Sequence, residues 1–189
     1  MSTKREDIIK TAMRLFTEEG FHATPTSKIA KEANVATGTL FHHFKNKEAL
    51  INALYIYVKK RLCEALKGKL DSSTDTKSIL FQLWKNSVHW FNDHYNEFVF
   101  LLQYQHSIII IESTHELLYN DFTDIINQFQ IAIDRDELKS NDLEYIVSNF
   151  VANVQQNSIY FHKHPDTFSD EAIARHFEIY YSGLSATQE

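Results

Sequence analysis

Ten histidines and 25 carboxylates in 189 residues are enough to build a metal centre, so their spacing decides whether one is encoded. Glu112 and His115 have the Glu-x-x-His spacing that puts both side chains on one helix face. A di-iron bundle needs two such pairs and two further glutamates, and this is the only pair lying within one predicted helix. His115-Glu116-Leu117-Leu118-Tyr119 opens like the H-E-x-x-H zinc-protease motif, but Tyr119 stands where the second histidine is required. His89 and His94 are five residues apart and leave a common helix face, and His162 and His164 point to different sides. Cys63 is the sole cysteine, which permits neither an internal disulfide nor a cysteine-rich zinc site; it reads as a small buried helix residue. The pattern therefore predicts no metal, no cofactor and no enzyme.

Charge points elsewhere. The chain carries a net −6, unevenly spread. Residues 1–70 hold 13 Lys/Arg against 7 Asp/Glu, a balance of +6, and residues 71–189 hold 6 against 18, a balance of −12. Such asymmetry marks a nucleic-acid-facing segment joined to something else. The acidic part would be repelled by phosphate and would help orient the basic part toward it.

The elements that must position those charges are helices. Only 4 Gly and 2 Pro punctuate the chain, which leaves room for long helices rather than many short strands. Thr3-Lys4-Arg5-Glu6 is a capping box that opens the first helix. Ile8, Ile9, Ala12, Leu15 and Phe16 follow at helical spacing, and Gly20 stops it. Thr24 before Pro25 predicts the second helix, with proline in its first position; Asn34, tolerant of left-handed backbone, ends it. A third helix is expected over about 37–44 and a fourth, capped by Asn46, over about 46–66 with Leu50, Leu54, Val58 and Leu62 on one side. The turn Asn34-Val35-Ala36 between helices two and three gives a helix-turn-helix layout. Five more helices are expected near 75–95, 97–111, 112–134, 138–163 and 169–182. The domain boundary falls around Gly68 to Thr74. No apolar leader follows Met1, and the charge-free run Phe98 to Ile111 is shorter than the ~20 residues needed to span a bilayer; it reads as a buried helix in a cytoplasmic protein without membrane contact.

From Gly20 to Leu50 the sequence reads GFHATPTSKIAKEANVATGTLFHHFKNKEAL. With Thr24, Ile29, Ala30, Ala33, Val35, Gly38, Leu40, Phe44, Lys47 and Leu50 at their places, it resembles the DNA-binding signature of TetR-family transcription regulators. The resemblance covers about a quarter of the chain. It implies an all-α protein of about nine helices. Residues 1–50 would form a helix-turn-helix DNA-binding domain and residues 51–189 a helical effector-binding and dimerisation domain. Thr26 would then donate to a phosphate and Ser27 face a base edge. Thr37 and Gly38 would open the recognition helix, and Gly38 would let the backbone approach DNA closely. Thr39, His42 and His43 would project toward the groove, Lys45 would reach toward phosphate, and Lys47 would hold a phosphate at the start of helix four. Phe41 stands where the family usually has a phosphate-binding Tyr; it can touch a thymine methyl instead. Ala36 stands where a capping Ser is common, leaving Thr37 to cap, and Asn34 replaces the usual Gly.

One recognition helix reads only a few base pairs in the major groove, where side chains can tell the pairs apart. Two copies about 34–36 Å apart read a palindrome. The resemblance implies that the last two helices supply the homodimer contact, through one stripe of Leu143, Ile146, Val147, Phe150, Val151, Val154 and Phe161 and another of Ile173, Phe177, Tyr180 and Tyr181. It also implies a repressor released by a small molecule. The aromatic middle helices suit a mostly apolar effector with a few orienting hydrogen bonds, with Trp84, Val88, Phe91, Tyr104 and His106 as candidate contacts. A protein effector, or none, remains an alternative. The run Lys59-Lys60-Arg61 reads as a solvated helix face.

Overall fold

The structure is a computed structural model that describes residues 3–67 and 75–186; the boundary expected at 68–74 lies outside the described residues. Among those residues the chain is helical throughout: α1 (Lys4–Glu19), α2 (Thr26–Glu32), α3 (Thr37–His43), α4 (Lys47–Lys67), α5 (Thr76–Asp93), α6 (Tyr95–Tyr104), α7 (Glu112–Asp134), α8 (Leu143–Lys163) and α9 (Asp170–Leu184). A single 3-10 turn at Pro165–Thr167 precedes α9. The helices form two compact units, residues 1–61 with 94–119 and residues 62–93 with 120–189.

Local chemistry explains the helix ends. Both bonds of the Thr3–Glu6 capping box form at α1. Gly20 ends that helix at φ 83°, its N–H reaching the Phe16 carbonyl. Asn46 caps α4 by accepting the Ala49 N–H at 2.7 Å, Asp75 caps α5 at Ser78, Asp142 caps α8 and Ser169 caps α9. In the first unit, Ile8, Ile9, Ala12, Leu15, Phe16, Ile29, Ala30 and Leu40 are buried together with Leu50 and Leu54 of α4. α6 packs on α1, where Tyr104 Oη donates to the Phe16 carbonyl at 3.1 Å. In the second unit α5 lies against α8 and α9. Its core is aromatic: Trp84 stacks on Tyr180 at 4.9 Å and meets Phe150 and Phe177 edge-on. An isolated bridge between Leu138 and Ser185 ties the α7–α8 connection to the end of α9.

Three expected elements come out differently. α6 ends at Tyr104, not near residue 111, and Ile108 is 98% exposed instead of buried. The branched side chain of isoleucine lowers helix propensity slightly. Here the segment turns on Ser107, whose carbonyl and hydroxyl receive the Ile110 and Ile109 N–H groups. Buried Asn52 of α4 then holds it. Asn52 Nδ2 donates to the Ile109 carbonyl at 2.9 Å, and its Oδ1 accepts from Ile111 N–H at 3.1 Å and Thr114 Oγ1 at 2.9 Å. α8 starts at Leu143, five residues later than expected, because Asp142 supplies the cap. The seven residues proposed as a dimer stripe on α8, and the four on α9, divide: Ile146, Phe150, Val154, Phe161, Ile173, Phe177 and Tyr180 are buried in their own chain. Nor is Arg61 simply solvated, since it pairs with Glu97.

Candidate nucleic-acid interface

The sequence dictates the support before the surface. Thr24 was expected to lie just outside α2 with Pro25 as the first helical residue. Instead Pro25 occupies the cap position and Thr26 begins the helix. Thr24 is fully buried, and its hydroxyl is used at the end of α1, contacting the Gly20 carbonyl at 2.8 Å and the Leu15 carbonyl at 3.3 Å. Ion pairs brace α1 to α2: Arg14 joins Glu18 at 2.9 Å and also Glu32, and Lys28 joins Glu19. The tight turn after α2 is a complete Schellman motif. Asn34 adopts φ 53°, Val35 N–H bonds the Ala30 carbonyl at 3.0 Å and Asn34 N–H bonds the Lys31 carbonyl at 3.2 Å. Asparagine is one of the few residues other than glycine that enter this left-handed conformation readily. α3 follows at once, anchored by Leu40 inside it and Phe44 just past its end.

What this support leaves facing out is short and specific. Thr37, Gly38, Phe41, His42 and His43 are exposed on α3, and Thr39 is half-buried. A side-chain carbon built on Gly38 would meet nothing within 4 Å. Phe41, 45% exposed, is an apolar point on an otherwise polar helix, and the His42 and His43 rings sit edge to face at 5.4 Å. Ala36, not Thr37, holds the N-cap position, and no side chain caps α3; the missing hydroxyl leaves the helix start where it is. On α2, Ser27 is exposed and Thr26 half-buried. Lys45 is exposed. Lys47 lies 4.4 Å over the Phe21 ring, and this partial burial holds its ammonium below the usual lysine range.

Sequence reasoning passed over Lys31. It is exposed one turn from Ser27 on α2, and neither it nor Lys45 has a carboxylate partner among the described residues. The i, i+4 spacing from Ser27 was the available signal. Arg14 and Lys28, by contrast, spend their charge inside the unit. Lys31, Lys45 and Lys47 are thus the cations left around α2, α3 and the start of α4, beside exposed hydroxyls and imidazoles.

The proposed effector residues do not share one environment. Trp84, Val88 and Phe91 are buried in the second unit. Tyr104 and His106 belong to the first, where Tyr104 is bonded to Phe16 and His106 is exposed. Among the described residues no group of three His, Cys, Asp or Glu is placed to hold a metal ion, and no helix is long and apolar enough to cross a membrane. His115 of the Glu112–His115 pair packs edge-on to Tyr55.

Comparison with known proteins bears on the same surface. Residues 8–54 match bacterial regulatory proteins of the tetR family. The chain is 38% identical over 109 residues to the HTH-type transcriptional regulator YerO of Bacillus subtilis, a match covering 54% of this chain and 36% of that one. It is 40% identical over 57 residues to the regulator UidR of Escherichia coli, covering 30% of this chain and 29% of that one. The chain thus spans less than half the length of these curated relatives. A crystal structure of a tetR family transcription regulator from Shewanella sp. PV-4 superposes with a TM-score of 0.91 at 29% identity, covering 98% of this chain and all of that one. One from Marinobacter aquaeolei superposes at 0.89 with 18% identity over 97% of this chain and 96% of that one, a likeness of fold alone.

Proposed function

We propose that this chain, which belongs to the TetR family of transcription regulators, is a repressor that binds a palindromic operator as a homodimer and is released by a small, largely apolar ligand. The observation that carries the DNA-reading part is the outward face of α3 on a braced support. Thr37, Thr39, Phe41, His42 and His43 are the base-reading set, with Gly38 allowing close approach. Thr26, Lys45 and Lys47 hold phosphate, and Ser27 reads a base edge beside them. Phosphate contacts fix register while groove contacts give sequence preference. Residues 1–50 carry this reading, and the dimer and effector roles fall within residues 51–189.

The homodimer reading is supported by what α8 and α9 leave uncovered. Val151, Tyr160 and Ile179 are exposed. Beside them a groove of about 290 Å³ is lined by Asn153, Asn157, Tyr160, His176, Ile179 and Tyr180. Val151, Tyr160 and Ile179 replace the buried stripe as the surface a second copy would cover.

Selection of bound fragments from random DNA tests the whole reading. The expected product is a palindrome whose half-sites lie about one duplex turn apart, or a multiple of it. Selection that returns no common sequence, from a chain that is folded by circular dichroism, would refute it.

A further inference from the structure

Among the described residues the second unit buries three side-chain donors that nothing in it receives, Asn86 Nδ2, Trp84 Nε1 and Tyr180 Oη, and the last two lie together. Trp84 Nε1 and Tyr180 Oη are each sealed from solvent without a partner. They belong to rings stacked on one another at 4.9 Å. Two other buried hydroxyls of this unit are already used, Ser87 of α5 on the Leu83 carbonyl and Ser158 of α8 on the Val154 carbonyl. Native interiors rarely leave such groups unmet, and each exception calls for a reason. The rings around them are Phe150 and Phe177, with Phe129 and Tyr181 beyond, and none carries a charge.

We infer that the Trp84–Tyr180 stack is the polar end of the effector seat, and that the seat takes an uncharged, flat, mostly apolar molecule bearing a carbonyl-type acceptor. This rests on the apolar-effector reading above and names the ligand's chemistry. An indole N–H can only donate, and a carbonyl oxygen only accepts, so a carbonyl is the kind of group these donors call for. A carboxylate is disfavoured, because burying its charge among neutral rings without a cation is expensive. Burial also raises the Tyr180 hydroxyl pKa far above the usual tyrosine range, so it remains a donor.

The test compares acetophenone with ethylbenzene, which share a ring and nearly a shape and differ in the acceptor. Binding of each to the full chain is measured by titration calorimetry and by thermal shift. Acetophenone is expected to bind at least about fivefold tighter, the scale of one or two net hydrogen bonds. Trp84→Phe and Tyr180→Phe should each shrink that preference, and the double variant should abolish it. Tyr180→Phe removes only a hydroxyl, so the unliganded variant should melt no lower than the parent. A lower melting point would mean that water already satisfies this hydroxyl and would overturn the inference. Equal binding of the two probes would also overturn it while leaving an apolar effector standing. Failure of both probes to bind would count against the effector reading as well, and DNA selection reports on the remainder independently.

Discussion

Asn52→Leu is the sharpest available test of how the first unit is held. Leucine fills a similar volume but makes none of the amide's bonds. In the parent, Asn52 contributes Nδ2–H to the Glu48 and Ile109 carbonyls and Oδ1 to Ile111 N–H and Thr114 Oγ1. Removing it strands three groups outside its own helix. A net hydrogen bond contributes about 1 kcal/mol, and a buried group left unmet costs about 1–3 kcal/mol. Thr114 is buried, while the Ile109 and Ile111 backbone is only partly so. The lower half of each range then applies to two of the three, giving a loss of about 3 kcal/mol. Thr114→Val removes one of these bonds and should cost about 1 kcal/mol. Because the two substitutions break a shared bond, the double variant should lose less than their sum. Urea unfolding followed by circular dichroism reads all three, provided the denaturant slope is unchanged. Stability of Asn52→Leu within about 0.5 kcal/mol of the parent, as for an ordinary surface change, would refute the claim that this amide fastens the α6–α7 turn.

Lys47→Ala should weaken binding to all duplexes alike and lower the salt slope by about 1; fluorescence anisotropy across a salt series measures this, and an unchanged slope would remove Lys47 from the phosphate contacts. Ile179 is 70% exposed, so Ile179→Glu should leave the helical circular dichroism intact while shifting sedimentation equilibrium toward the monomer; an unchanged dimer would place the interface elsewhere. Lys85 at 2.6 Å, and then His89 at 2.8 Å, hold the Asp170 carboxyl below the usual aspartate range. A lowered carboxyl contributes stability that is present above its unfolded value, about 3.9, and is lost as pH falls through the lower folded value. The stability gap between parent and Asp170→Asn should therefore be flat near neutrality and close on acidification, and a gap independent of pH would contradict the pairing.

The sequence made the first four helices readable because their ends are local events. Thr3 with Glu6, Gly20, Asn34 and Asn46 each act on backbone a few residues away, and each does what its chemistry suggests. Thr24 was misjudged because its position beside a proline resembles a cap, whereas its hydroxyl answers to carbonyls at the end of α1. The run from Phe98 to Ile111 was read as one buried helix because hydropathy does not register where a chain turns. The turn depends on Asn52, more than fifty residues earlier, and no local pattern announces it. The stripes on α8 and α9 were correctly seen as apolar, but periodicity cannot say which neighbour an apolar face meets. Trp84 fills the centre of its own unit, and only the atomic arrangement singles out its unmet N–H from the surrounding rings. The candidate DNA contacts that the sequence singled out on α3 lie on its exposed side, apart from the half-buried Thr39, while the ion pairs that engage Arg14 and Lys28 appeared only in three dimensions.

The open space around Gly38 has one further implication. Glycine is among the weakest helix formers, about 1 kcal/mol less favourable than alanine inside a helix, and at residue 38 nothing among the described residues lies within 4 Å of an added methyl group. The first turn of α3 thus keeps a residue that makes the free protein less stable than it could be. Gly38→Ala should fold at least as firmly as the parent, so any affinity for duplex DNA it loses would measure a steric demand that originates outside the polypeptide.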